Sequence, residues 1–175
     1  MCLPINNWKL QFTVLLSIII ITTKFSEGKT PTDYILCRQC GTDVASADSL
    51  ANLHSPAAVT RTNESLFGLD EVYVQSLINP LHIKFNVVTV LESTCVTSAR
   101  FWVSDHSWFP GYAWKPCTCS RCRQQLGWAF EPLVSADSLK IRASNKGFYT
   151  LILDNIISEL VSDQLLIVPH TVTVR

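Results

Sequence analysis

Two Cys-x-x-Cys pairs, Cys37-Arg38-Gln39-Cys40 and Cys119-Ser120-Arg121-Cys122, constrain this chain more than any other feature. Positions 41 to 118, 78 residues, separate them. A two-residue spacer lets both thiolates of a tight turn converge on one ion. Two such turns complete the four-sulfur tetrahedron that Zn2+ favours, with Zn–S of about 2.3 Å. A shell of four cysteines leaves no open coordination position, so a structural zinc pinning two distant hairpins is expected rather than a catalytic one. The interval is longer than the roughly 15–20 residues of compact zinc ribbons, and local disulfides in an oxidising compartment use the same spacing. Neither pair opens a helix after a buried strand, which argues against a thioredoxin-like redox motif.

The compartment follows from the N-terminus. Lys9 supplies a positive region, Phe12 to Ile21 an apolar run, and Ser26 and Gly28 small residues at cleavage spacing. This is the pattern of a secretory signal peptide, assigned to residues 1–28. The run is shorter than the roughly 17–25 apolar residues that span a bilayer, and Asp154 and Asn155 interrupt the next apolar stretch at Ile152 to Ile157. An exported, extracellular protein that leaves the membrane after signal removal is expected. Beyond the leader, Cys95 and Cys117 fall outside the two pairs and are expected to form a disulfide. Asn63-Glu64-Ser65 is a sequon, making Asn63 a glycosylation acceptor if exposed. With 14 basic and 14 acidic residues, no electrostatic partner such as nucleic acid or an anionic membrane is implied.

Short β-rich segments separated by turn residues predict an all-β domain of two small antiparallel sheets pinned by the zinc. Strands are expected at Glu71 to Leu77, Ile83 to Leu91, Ala99 to Val103, Trp128 to Pro132 and Phe148 to Leu153, with weaker alternation at Leu139 to Arg142. Asp43 to Asn52 is mixed and helix-compatible, and Ile156 to Ser162 is ambiguous. The expected layout is one domain over 29–160, then a C-terminal strand or tail over 161–175.

The aromatic residues point to a pocket. Trp108 and Trp114 flank Pro110-Gly111, a turn that can fold both indoles toward one space, while Trp128 and Phe130 share one face of a strand. The same residues are also compatible with a plain aromatic core, the role that Trp102 fits best. The run His106-Ser107-Trp108-Phe109-Pro110-Gly111-Tyr112-Ala113-Trp114, followed by Cys119-x-x-Cys122 and Leu126-Gly127-Trp128-x-Phe130, closely resembles the thalidomide-binding CULT domain family. Cys37-Arg38-Gln39-Cys40, Asn79-Pro80 and Phe148-Tyr149-x-Leu151 extend the resemblance over roughly residues 33–155.

The resemblance implies a β-tent fold, with Trp108, Trp114 and Trp128 as a three-tryptophan cage over Phe130. It implies that His106 and the backbone at Trp108 bond the edge of a cyclic imide, and that Asn79 and Pro80 line the rim. The implied partner of this monomer is a small cyclic ligand, imide or uridine-like, or a cyclic-imide peptide end. A cation held over the indoles is the chemical alternative. Leu81 stands where the family has a His, with His82 one position later. His54, His82 and His170 are isolated and read as surface or rim residues. The β-tent also resembles methionine sulfoxide reductases, so an enzyme using Cys95 or Cys117 is the second reading. No sequence setting lowers the pKa of either thiol, and a non-enzymatic binding module is expected.

Overall fold

The computed structural model describes residues 32–97, 101–137 and 140–166. The leader, His170 and most of the 161–175 segment lie outside them. Among the described residues, eleven strands are formed in chain order: β1 Tyr34–Cys37, β2 Asp43–Ser46, β3 Leu50–Ala51, β4 Thr60–Leu66, β5 Leu69–Ile78, β6 Lys84–Val90, β7 Val96–Thr97, β8 Tyr112–Thr118, β9 Gln125–Pro132, β10 Phe148–Ile152 and β11 Ile156–Ser158. One helix, α1, covers Glu159–Leu166. All pairings are antiparallel.

The two expected sheets are present, but they are unequal. A small sheet has the order β11-β1-β2. The large one runs β4-β5-β6-β10-β9-β8-β7, with β3 also pairing β6. Period-two alternation splits the large sheet's side chains between two cores. Val72, Val74, Val88, Ala129, Tyr149 and Leu151 point toward the small sheet and pack with Ile35, Val44 and Ile156. Leu77, Val87, Trp128, Phe130, Phe148 and Ile152 form the opposite face, closed by Trp108 and Phe109. Both faces of β5 and β9 are buried over most of their length, so Gln75, Ser76 and Glu131 are buried as well as the apolar residues.

Several expectations need correction. Val103 makes only an isolated bridge to Trp114, and residues 98–100 lie outside the described set, so no strand forms over Ala99 to Val103 among the described residues. Ile141 and Arg142 lie in a bend, not a strand, with residue 139 outside the described set. Here the loop after β9 is held by side chains instead of a ladder. The buried Glu131 carboxylate accepts from the Ser144 N–H at 2.7 Å and the Ser135 hydroxyl at 2.8 Å, and meets Lys140 at 3.5 Å. Burial pushes its pKa up, but these donors outweigh burial and hold it below the usual value.

Asp43 to Asn52 forms β2, a short 3-10 turn and β3 rather than a helix. The expected strand or tail over 161–175 begins as helix: Ser158 caps α1 by accepting the Val161 N–H at 3.3 Å. Asp33, from the far end of the chain, accepts from the Leu160 N–H and the Ser158 hydroxyl at the same terminus. No described helix is long and apolar enough to cross a membrane.

Gly127 permits the close approach of β9 to β10. A Cβ there would lie 1.8 Å from the Thr150 carbonyl oxygen, inside the Gly127–Leu151 register. Gly127→Ala is expected to destabilise the fold by about 3 kcal/mol, the upper range for overpacking. Urea unfolding measures it, and an unchanged midpoint refutes the packing assignment.

Candidate functional site

The β8–β9 hairpin carries a sulfur cluster at its turn and an aromatic cavity further along its strands. The Cys37, Cys40, Cys119 and Cys122 sulfurs all lie within 4.8 Å of one another, and none of them is disulfide-bonded. The Cys37–Cys122 and Cys40–Cys119 separations are both 3.6 Å. A tetrahedron of four sulfurs around zinc, with Zn–S of about 2.3 Å, has S···S edges of about 3.8 Å, so the four sulfurs fit the ion.

The two turns share one backbone design. Cys37 N–H bonds Thr42 O at 2.8 Å, as Cys119 N–H bonds Gln124 O at 2.8 Å. Gly41 N–H returns to Cys37 O and Arg123 N–H to Cys119 O, with φ of 69° and 66° at the two equivalent residues. Arg123 holds this left-handed conformation at a cost of about 1–2 kcal/mol. The turn therefore tolerates a side chain at the position that Gly41 fills in the first pair.

The thiols differ electrostatically. The Thr42 hydroxyl, 3.2 Å from its sulfur, leads the effects that lower Cys40 to about 6. Burial, the largest effect on Cys37, pushes it up to about 12. A bound cation must displace the Cys37 proton, so rising pH favours metal retention.

The cavity is about 220 Å3 and is lined by Asn79, Pro80, Leu81, His106, Trp108, Trp114, Trp128 and Phe130. All seven residues proposed from sequence meet here, with Leu81 added. Trp114, Trp128 and Phe130 project from β8 and β9. Trp108 and His106 come from the preceding loop, whose Phe109–Tyr112 turn closes at 3.1 Å with Gly111 at φ 87°, the type II geometry in which Pro110 presets the first corner. Trp108 and Trp128 meet edge-on, with centroids 4.7 Å apart at 77°. Phe85, which sequence reading did not single out, packs edge-on against Trp128 at 5.0 Å. Phe109, Phe130 and Phe148 form an aromatic layer with neighbouring centroids 4.8–5.0 Å apart.

The polar groups divide into committed and free. Trp108 Nε1 donates to Ile78 O and Trp114 Nε1 to Asp105 O, each at 2.9 Å, which locks both rings. Among described residues, the His106 imidazole, the Trp108 N–H and Trp128 Nε1 make no hydrogen bond. His106 sits at φ 57°, a strained conformation of the kind found at binding sites. Asn79 lines the cavity and also orders the rim loop. Its Oδ1 accepts from Leu81 N–H at 3.0 Å and Ile83 N–H at 2.9 Å, so this oxygen shapes the rim loop.

Ser55 is a residue that the sequence did not single out. It is fully buried, and its hydroxyl donates to the Trp108 carbonyl at 2.5 Å. Gln75 Oε1 accepts the Ser55 N–H, and Arg61 donates to the Ser55 carbonyl. Only the fold could reveal this clamp, because it spans 53 positions.

Other expected residues lie elsewhere. Cys95 and Cys117 are bonded, with Cα atoms 5.6 Å apart, and buried in the core opposite the cavity. Neither offers a thiol to that cavity, which removes the basis of the reductase reading. Trp102 packs on that opposite core too, its ring 4.7 Å from Lys115 Nζ. Asn63 is exposed on β4, an edge strand.

No family model matches the chain. Over 97 residues, 55% of its length, it is 30% identical to cereblon of Danio rerio. It is 29% identical over 97 residues to cereblon of Gallus gallus and 28% over 94 to that of Xenopus tropicalis. These matches support a cereblon-like CULT domain. The chain spans about a fifth of those relatives' length (19%, 18% and 21%). The sulfur cluster and the cavity share the β8–β9 hairpin, so the turn that would hold a metal and two strands of the pocket are one element.

Two outcomes are expected. Elemental analysis of the purified protein finds one zinc per chain, and Cys119→Ser or a strong chelator removes it and lowers Tm by about 10 °C or more. A metal-free protein with an unchanged melt overturns this assignment. Ser55→Ala leaves a buried carbonyl without its donor and costs about 1–3 kcal/mol in urea unfolding.

Proposed function

We propose that this chain is an exported binding module that holds one small cyclic imide-like or uridine-like ring in a cage of Trp108, Trp114 and Trp128, over Phe130. The ring is free or closes a peptide end. The observation that carries this reading is a small aromatic cavity with unused donors at its wall. A volume of about 220 Å3 falls below the roughly 300–1,000 Å3 of drug-sized sites, and so suits a single ring. Indoles bury the ring's methylenes. The His106 imidazole and the Trp108 N–H are free to meet imide oxygens. The Trp108 carbonyl accepts from Ser55 on one side and has a second lone pair for an imide N–H. A shielded apolar wall makes those few bonds discriminating.

Zinc at Cys37, Cys40, Cys119 and Cys122 is structural in this reading. It holds the hairpin that carries two of the three cage tryptophans. The chain acts by binding, without turnover. Residues 1–28 direct its export, and Asn63 on the exposed edge strand carries the glycan.

Titration of the purified protein with glutarimide, succinimide and uridine, followed by tryptophan fluorescence, tests the reading. At least one ring is expected to saturate the signal. Trp128→Ala is expected to weaken that ring by about 2–4 kcal/mol, in the range of buried aromatic anchors. Equal binding by wild type and Trp128→Ala, or none by wild type, refutes the cage.

A further inference from the structure

The cavity accepts a ring and little more, so any larger molecule that carries the ring must leave through the mouth. One side of that mouth is the six-residue segment Ile78-Asn79-Pro80-Leu81-His82-Ile83, which contains no carboxylate, ammonium or guanidinium group. Leu81 lines the cavity and is still 77% exposed, while Ile83 is 50% and Ile78 39% exposed. Single exposed apolar residues are ordinary on protein surfaces. Leu81 and Ile83, two positions apart on one short segment beside an apolar cavity, form a contact surface.

The segment is also pre-organised. Asn79 Oδ1 holds the Leu81 and Ile83 N–H groups. The Asn79 N–H bonds Ile83 O at 3.0 Å, and His82 N–H bonds Asn79 O at 2.9 Å. The Ile78 carbonyl accepts from Trp108 Nε1, tying the segment to the cage wall itself. Ordering Leu81 against a guest therefore costs little additional backbone entropy.

We propose that Leu81, with Ile83, is a specificity collar that selects the group attached to the caged ring. This rests on the ring-binding reading above. The occupant is a peptide whose last residue has closed to a cyclic imide and whose preceding side chain is apolar. That side chain covers Leu81 and Ile83, removing their surface from water as the ring enters. A carboxylate at the same position would lose water against Leu81 and Ile83.

The test uses bare glutarimide and 3-aminoglutarimide acylated with acetyl-leucyl, acetyl-glycyl or acetyl-aspartyl groups, titrated into the purified protein and read by tryptophan fluorescence. Wild type is expected to bind the leucyl compound on the order of tenfold tighter than the aspartyl one, with the glycyl compound between them. In Leu81→Asp and in Ile83→Asp, that leucyl-to-aspartyl ratio falls to near one or inverts. Both positions are exposed, so neither change disturbs the core. Equal wild-type affinities for the three compounds overturn the collar, as does a ratio unmoved by both substitutions, while bare glutarimide still binds. If bare glutarimide and all three compounds leave wild-type fluorescence unchanged, the ring reading fails and the collar fails with it.

Discussion

Alternation along the paired stretches Tyr112 to Cys117 and Gly127 to Pro132 of the β8–β9 hairpin is the constraint on which this structure depends. One face of the hairpin presents Trp114, Trp128 and Phe130, and the other presents Lys115, Cys117, Ala129 and Glu131. A register slip of one residue would exchange those sets and place indoles in the inter-sheet core. Two features hold the register. The turn at Cys119 to Cys122 is gathered into the sulfur cluster with Cys37 and Cys40, and Gly127 lets β10 approach closely enough to lock the strand from the other side.

The two faces of the large sheet therefore do different work. The inner face joins the sheets through aliphatic packing, the Cys95–Cys117 bridge and the buried Glu131 that anchors the following loop. The outer face is mostly aromatic and holds the cavity. Rigid rings suit such a site, because two torsions per side chain leave little entropy to lose when a guest arrives. The tryptophans nearest the opening are immobilised by their own N–H bonds to backbone carbonyls. The cavity thus exists before any ligand enters it.

Much of this was legible along the chain. The Cys-x-x-Cys spacing located the cluster, and the aromatic run located the cavity walls, since both depend on local turns. Strands with a ladder on each side, such as β5 and β10, announced themselves by β-branched and aromatic content. Segments held by side chains did not. The loop after β9 hangs on Glu131, and α1 begins where Asp33 crosses from the opposite end of the chain. Ser158 and Glu159 were a readable helix start, but the apolar residues on either side also suited a strand.

The sequence alone determined which residues could build the site: thiols at metal spacing, three indoles, and a Pro-Gly turn between two of them. It also determined the departure at Leu81, a single identity that needs no fold to be seen. Tertiary structure decided how these groups are used. It committed Asn79 to shaping its own loop, placed Ser55 under the Trp108 carbonyl, sequestered Cys95 and Cys117 away from the cavity, and set Leu81 at its mouth. The reason is physical. Local spacing fixes what a turn can do, whereas burial and hydrogen-bond partnership depend on which distant strands come to lie side by side.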